Sequence, residues 1–424
     1  ASIIQTAAYT GPQGAQGADY IAGFNGKGDP YFSTTATLPP GHGLTVAVSW
    51  PKGYVAEPTE TEKAMHRIES NMPSLIAVLA VLILLAYYYF AWNKVGRDPE
   101  KRPPFPRFHP PRGISPAAAR TIMRMGYDDK AFAAAMINLA VKGYATISEE
   151  SKFFSSTYVM SRTGASAKAC NLSRGEKLAA DALFGGSDVV EISRSNRSQI
   201  RSANKRLAAF LQLEHEKIHF LTNKQWLIPG ILVTLVTLGA LALTSRQPPV
   251  AGFLSLWLAG WTTGVTFLLY TVIRLFRSGS FVGGILSSLF AIPFVGGEIF
   301  GLFAYAEVTS FPATAGLIVL FLLNAVFYFL LKAPTAEGRI IMDEIEGYKL
   351  FLETTEKDRL NIMNPPDVTP EVFEKNLPYA VALNVEHEWS ERFESHLQRM
   401  GQQVSGYSPH WYHGSSMSSL GRAL

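Results

Sequence analysis

SLIAVLAVLILLAYYYFAW, residues Ser74–Trp92, runs for nineteen residues without a charge, a glycine or a proline. A helix needs about 20 apolar residues to cross the hydrocarbon of a bilayer, so this stretch alone marks the chain as membrane-embedded. Four more stretches qualify: Trp226–Thr244, Ala251–Ile273, Phe281–Ala304 and Phe311–Leu331. The fourth of the five is interrupted by Gly283, Gly284, Pro293, Gly296 and Gly297 and holds one acid, Glu298, so a kinked or re-entrant path is expected there.

The composition agrees. Hydrophobic residues make up 47% of the 424 and charged ones 17%, against roughly 25% charged in a soluble domain, and the mean hydropathy is +0.10. Disordered, collagen-like and coiled-coil classes are excluded by the apolar content and the lack of a fixed period. One cysteine, Cys170, cannot build an internal disulfide framework. A net charge of +4 is too small to imply a nucleic-acid binder, and none is expected as partner.

Basic residues orient the spans. Lys94, Arg97, Lys101, Arg102, Arg107 and Arg112 follow the first span, whereas Glu57, Glu60, Glu62 and Glu69 outnumber Lys63 and Arg67 before it. Arg274, Arg277, Lys332 and Arg339 fall on the same side as the first group. The expectation is a multi-pass protein of the bacterial inner membrane, N-terminus outside and C-terminus in the cytoplasm, with the lipid bilayer and other membrane proteins as partners.

The soluble parts divide as follows. Residues 1–56 are external; Gly43–Trp50 (GLTVAVSW) alternates as a half-buried strand and is expected to pair with Phe32–Leu38 across Pro39–Gly43. Two or three strands do not make a stable domain, so this is read as the C-terminal part of a larger β-domain. Residues 57–73 form a polar helical stem and 74–92 the first span. Residues 93–225 open with a proline-rich linker and continue with helices from Ser115-Pro116 and over Asp129–Lys142, then strands Tyr144–Ser148 and Thr157–Ser161, the pattern of a winged helix. Helices Arg174–Leu183 and Ser198–Phe220 lead to a four-span bundle, 226–331. Residues 332–400 are a second helical region, with helices over Thr335–Leu360 and from Thr369, and 401–424 a mobile Ser/Gly-rich tail.

TLPPGHGLTVAVSWPKG before a span, GRDPE and PPRGISPAAAR after it, and later MINLAVKGYATI, GYKLFLETTEKDRL and FEKNLPYAVALNVEHEW together resemble the YciQ-like family of predicted bacterial membrane proteins, a domain of unknown function. The resemblance implies an extracytoplasmic β-sandwich, membrane spans and a cytoplasmic helical region, with LemA-type membrane proteins as partners. It supplies no catalytic residues. The fold class expected is therefore a multi-domain integral membrane protein, α+β, with about five transmembrane helices.

Three features carry chemistry. His215-Glu216-Lys217-Ile218-His219 fits H-E-x-x-H, in which two histidines on one helical face hold zinc and the glutamate acts as base. Lys217 inside the motif, Glu214 and Lys224 beside it and the lack of a third ligand before Trp226 favour a solvated juxtamembrane helix without metal. Glu298 is an intramembrane acid, a functional hypothesis by default; it is expected to face Trp261, Thr262 or Thr263 of the third span and would serve a transport or channel role. Asn324 is expected to bond between helices, and Asp129–Lys142 offers a poor surface for reading DNA. No phosphate-binding loop or Ser/His/Asp set occurs, and no cofactor is implied. The leading reading is a non-enzymatic scaffold or sensor joining the external β-domain to cytoplasmic interaction domains, ahead of a transport component and a membrane zinc protease.

Overall fold

The computed structural model describes residues 5–53, 58–152, 155–193, 195–277, 281–353, 368–400, 407 and 409–414. It divides into two compact units, 1–72 and 73–424.

In the first unit, β1 (Gln5–Gly11), β2 (Tyr20–Phe24), β3 (Pro30–Thr34) and β4 (Gly43–Ser49) form two antiparallel pairs. β4 pairs with β1, from Gln5 opposite Ser49 to Gly11 opposite Gly43, and not with Phe32–Leu38 as expected. The reason is local. β2 and β3 are already closed by the Asn25–Asp29 turn, where the Asn25 side chain accepts from the amides of Lys27 at 2.9 Å and Asp29 at 2.8 Å. Pro39 and Pro40 cannot donate to a ladder, so the strand after them takes a more distant partner. α1 (Glu60–Ser70) is a polar helix within the segment 57–73, opened by a Thr59–Glu62 capping box; Glu57 lies outside the described residues.

The second unit begins with α2 (Met72–Ala91), which runs into a wide turn at Trp92–Gly96. After the proline-rich linker come α3 (Pro116–Arg124), capped by Ser115, and α4 (Asp129–Val141), capped by Asp128. α4 was expected to bury one stripe; instead Ala131 and all of Ala133–Ala140 are buried. A helix surrounded on every side is the centre of a domain. β5 (Ala145–Lys152) and β6 (Ser155–Arg162) form the expected antiparallel ribbon. α5 (Arg174–Phe184) follows, and β7 (Val189–Ile192) adds to β6. α6 (Arg197–His215) stops five residues short of the expected end, and β8 (Phe220–Leu221) precedes the bundle.

All four later apolar stretches are single helices: α7 (Ile228–Thr244), α8 (Pro248–Arg277), α9 (Phe281–Val308) and α10 (Phe311–Leu330). With α2 they make five helices long and apolar enough to cross a membrane among the described residues. α9 continues through Pro293 as one helix, so the re-entrant path, one of the two alternatives expected there, does not occur. Hydrocarbon offers a backbone amide no partner but its own helix.

β9 (Ala333–Pro334) pairs with β8 across the exit of the bundle. α11 (Ala336–Glu353), α12 (Pro370–Leu383) and α13 (Glu386–Arg399) follow; the expected continuation of α11 to 360 lies outside the described residues. These helices share one hydrophobic core with α3–α6, in which Ile122, Ile137, Leu207, Tyr348, Phe351 and Trp389 are almost completely buried. The helical domain is thus assembled from chain on both sides of the four later spans. The segment expected to be a polar tail returns to it: Trp411 is fully buried, and β10 (Tyr412–His413) lies parallel to β5. Two adjacent aromatics outweigh the polar residues around them. Of the rest of 401–424, only Tyr407 and 409–414 are described.

Candidate functional site

An acid in hydrocarbon must find a donor or a proton. Glu298 stands ten residues before the end of α9, ~15 Å along the axis. Its neighbour is α8. Thr262 donates its hydroxyl to Glu298 Oε1 at 2.7 Å. The diversion is specific, since Thr263 and Thr271 on the same helix donate to the carbonyls four residues back, at 2.8 and 2.9 Å. Beside this contact Trp261 donates its indole N–H to the Phe294 carbonyl at 3.1 Å and stacks on Trp257, ring centres 4.9 Å apart.

Glycines make the approach possible. A Cβ on Gly297 would come 2.9 Å from the Trp261 ring, and one on Gly301 2.5 Å from the Trp257 ring. Gly296 faces open space and contributes nothing comparable. The second carboxylate oxygen, Glu298 Oε2, is buried without a hydrogen-bond partner. The expected neighbours Thr262 and Trp261 are therefore brought to the acid or next to it, and Thr263 is turned away. A carboxylate half satisfied in a low-dielectric site is suited to holding a proton or a small cation.

A second polar group of the bundle is bonded across helices. Tyr88 of α2 donates to Asn324 Oδ1 at 2.7 Å, and Asn324 Nδ2 donates to Thr234 Oγ1 of α7 at 2.9 Å and to the Leu320 carbonyl at 2.8 Å. This is the interhelical role expected of Asn324, and it ties three spans together.

The H-E-x-x-H residues do not form a helical face. α6 ends at His215, Glu216 is extended, and Lys217 adopts a left-handed φ of 75°. The chain turns so that His215 Nδ1 and His219 Nδ1 lie 3.1 Å apart. Glu216 is turned to Thr222 and Gln212, which both donate to its carboxylate. His215 was expected on a solvated helix but is 4% exposed; burial, then its neighbour His219, pushes its pKa down to about 4. His219 is lowered by burial too, with Glu337 opposing. Both shifts favour the neutral form, in which one Nδ1–H can donate to the other Nδ1. Among the described residues no group of three or more His, Cys, Asp or Glu side chains suited to a metal is found.

This turn is the joint between bundle and domain. Thr335 donates its amide to the His219 carbonyl at 3.0 Å, and a Cβ on Gly338 would collide with that carbonyl at 1.6 Å. Asn223, at a left-handed φ of 49°, donates to the carbonyls of Val95 and Leu331 at 2.9 and 2.8 Å. One side chain thus holds the ends of three chain segments. Sequence reading missed it; an asparagine one residue before a span, at a position needing positive φ, was the signal available.

Cys170 lines a cleft of about 460 Å³ with Asn138, Lys142, Lys375, Tyr379 and His410. His410 pairs with Glu374 at 3.8 Å, and Glu374 also accepts from Trp411 and Tyr407, so that acid is the anchor of the returning tail.

The sequence model described as "Predicted membrane protein (DUF2207) C-terminal domain" matches residues 105–393. The chain is also similar to "Uncharacterized protein YciQ" of Escherichia coli strain K12, at 25% identity over 207 residues, 46% of this chain. That match spans 31% of the relative's length, so the chain covers about a third of it. No solved structure matches.

Proposed function

We propose that this chain, which belongs to the DUF2207 family of predicted membrane proteins, is a non-enzymatic scaffold or sensor that couples an external β-unit, through its spans, to a cytoplasmic interaction domain. One observation carries the reading: a single hydrophobic core is built from chain before and after four spans, so the bundle cannot shift without pulling on the domain. Short links support it, namely Asn223 across three segments and Asp129 of α4 to Arg274 at the end of α8 at 3.7 Å. In this reading 1–56 is part of a β-sandwich, 116–162 is a winged-helix-like unit used for packing, and the membrane is the bacterial inner one.

Affinity purification from native membranes tests it. A membrane or cytoplasmic protein should co-purify in stoichiometric amount and be lost with Trp389→Ala, which opens the core. For orientation, an impermeant maleimide should label Cys170 only after the cells are opened; labelling of intact cells would reverse the placement.

A second reading is favoured by the half-satisfied carboxylate of Glu298: a proton or cation step within the α8–α9 pair. Flux in proteoliposomes that disappears with Glu298→Gln, without any co-purifying partner, would put this reading first.

A further inference from the structure

α6 carries a row of cations that the helical domain does not use. Arg197, Arg201 and Lys205 recur every four residues and so line one edge of the helix. All three are exposed, and no carboxylate pairs with them among the described residues. With Ser198 and Ser202 they wall an open depression of about 720 Å³. The opposite edge is committed to α5, where Gln199 lies by Gly185 and Phe210 over Gly175. Leu207 and Leu211, between the two edges, are in the core.

Contacts of the neighbouring side chain place the cationic edge. Asn204, beside the row, accepts from the Tyr127 hydroxyl at 2.6 Å and donates to Asp129 at 3.4 Å. Asp129 in turn meets Arg274 at 3.7 Å. Arg274 is in the last turn of a span that runs from Pro248 to Phe276. At the C-terminal end of α6, His215 is followed nine residues later by the span that starts at Lys224. α6 is thus tied toward the membrane boundary at its middle, through Asn204 and Asp129, and beyond its C-terminal end, and Arg197, Arg201 and Lys205 flank Asn204 on the edge away from α5.

We propose that Arg197, Arg201 and Lys205 form a binding site for the anionic headgroups of the adjoining leaflet. Guanidinium groups match phosphate oxygens in paired hydrogen bonds, and the serine hydroxyls between them add neutral donors. A cation held near an anionic surface strengthens association about fivefold. A nucleic-acid strand would compete for the same charges, but the edge lies where the bilayer's own phosphates are already concentrated.

The test uses the full chain in nanodiscs of phosphatidylcholine alone or mixed equally with phosphatidylglycerol, read by hydrogen exchange of the α6 amides. Slower exchange in the anionic discs is expected, weakening about fivefold for each cation replaced in R197Q, R201Q and K205Q. Lys177→Gln, on α5, should leave it unchanged. Unaltered melting temperature verifies that the variants fold, as expected for exposed, unpaired side chains. Equal exchange in the two kinds of disc, or protection that survives the triple replacement, overturns the proposal. So does protection by an added DNA or RNA oligonucleotide in phosphatidylcholine discs when phosphatidylglycerol gives none.

Discussion

The two halves of the membrane bundle handle polar groups in opposite ways. Where α2, α7 and α10 meet, Tyr88, Asn324 and Thr234 form a chain of bonds in which the half-buried Asn324 amide is used at both ends. Where α8 and α9 meet, Glu298 has one oxygen bound to Thr262 and the other buried with no partner. The first arrangement fixes three helices relative to one another. The second leaves one carboxylate oxygen without a partner among the described residues, on two spans of which one meets the domain through the exposed Arg274–Asp129 contact. Completed polar networks in a bilayer are structural; incomplete ones are candidates for function.

The comparison can be broken in order of expected effect. Gly230→Leu should be the most damaging, because a Cβ there meets the Tyr88 hydroxyl at 2.1 Å, and Tyr88 is fully buried and stacked on Phe327. A loss of about 3 kcal/mol is expected from overpacking, read as melting temperature in detergent. A mild effect would mean that this half is as adaptable as the other.

The joint outside the membrane extends the contrast, since His215 Nε2 is also buried without a hydrogen bond, with the Glu214 carboxylate 3.4 Å away. Its folded pKa of about 4 lies below the ordinary imidazole value of 6.5. The unfolded chain takes up a proton first, so His215 contributes stability that is complete above pH 6.5 and is lost as pH falls toward 4. The loss should reach about 3 kcal/mol, and His215→Gln should flatten that slope. A variant as acid-sensitive as the parent would assign the loss to other groups.

Asn324→Leu should cost about 1 kcal/mol, the scale measured for hydrogen bonds between membrane helices. The smallest change is expected for Glu298→Gln, within about 0.5 kcal/mol of the parent, because the amide keeps the shape and an oxygen to accept from Thr262. A clear loss at Glu298 would make it a structural contact like Asn324 and remove the distinction between the halves.

The spans were legible because their signal is local and one-dimensional: apolar length alone placed Phe281, Phe311 and Thr244 at or within a residue of observed helix ends. Glu298 and Thr262 were legible for a related reason. A buried acid is costly enough that its partner must be close, and two spans joined by a short loop allow few choices. Pairing across distance was not legible. The β1–β4 ladder, the return of Trp411 to the core and the folding of His215–His219 into a turn all depend on segments far apart or on a single positive φ. The helical period that suggested a zinc site continued only in the sequence pattern; Lys217 ended it in the chain.

A core drawn from both sides of four spans also sets an order of events during synthesis. Residues up to His215 leave the ribosome about 130 residues before Met342 and its neighbours, which at 5–20 residues per second is roughly 6–25 s. Through that interval α3–α6 expose the surface that α11–α13 will cover, and α11 cannot arrive on the correct side unless an even number of spans has been inserted. Closure of the domain therefore depends on insertion of the spans: a chain with one span missed would hold its last helices across the bilayer from α3–α6 and leave their apolar face uncovered.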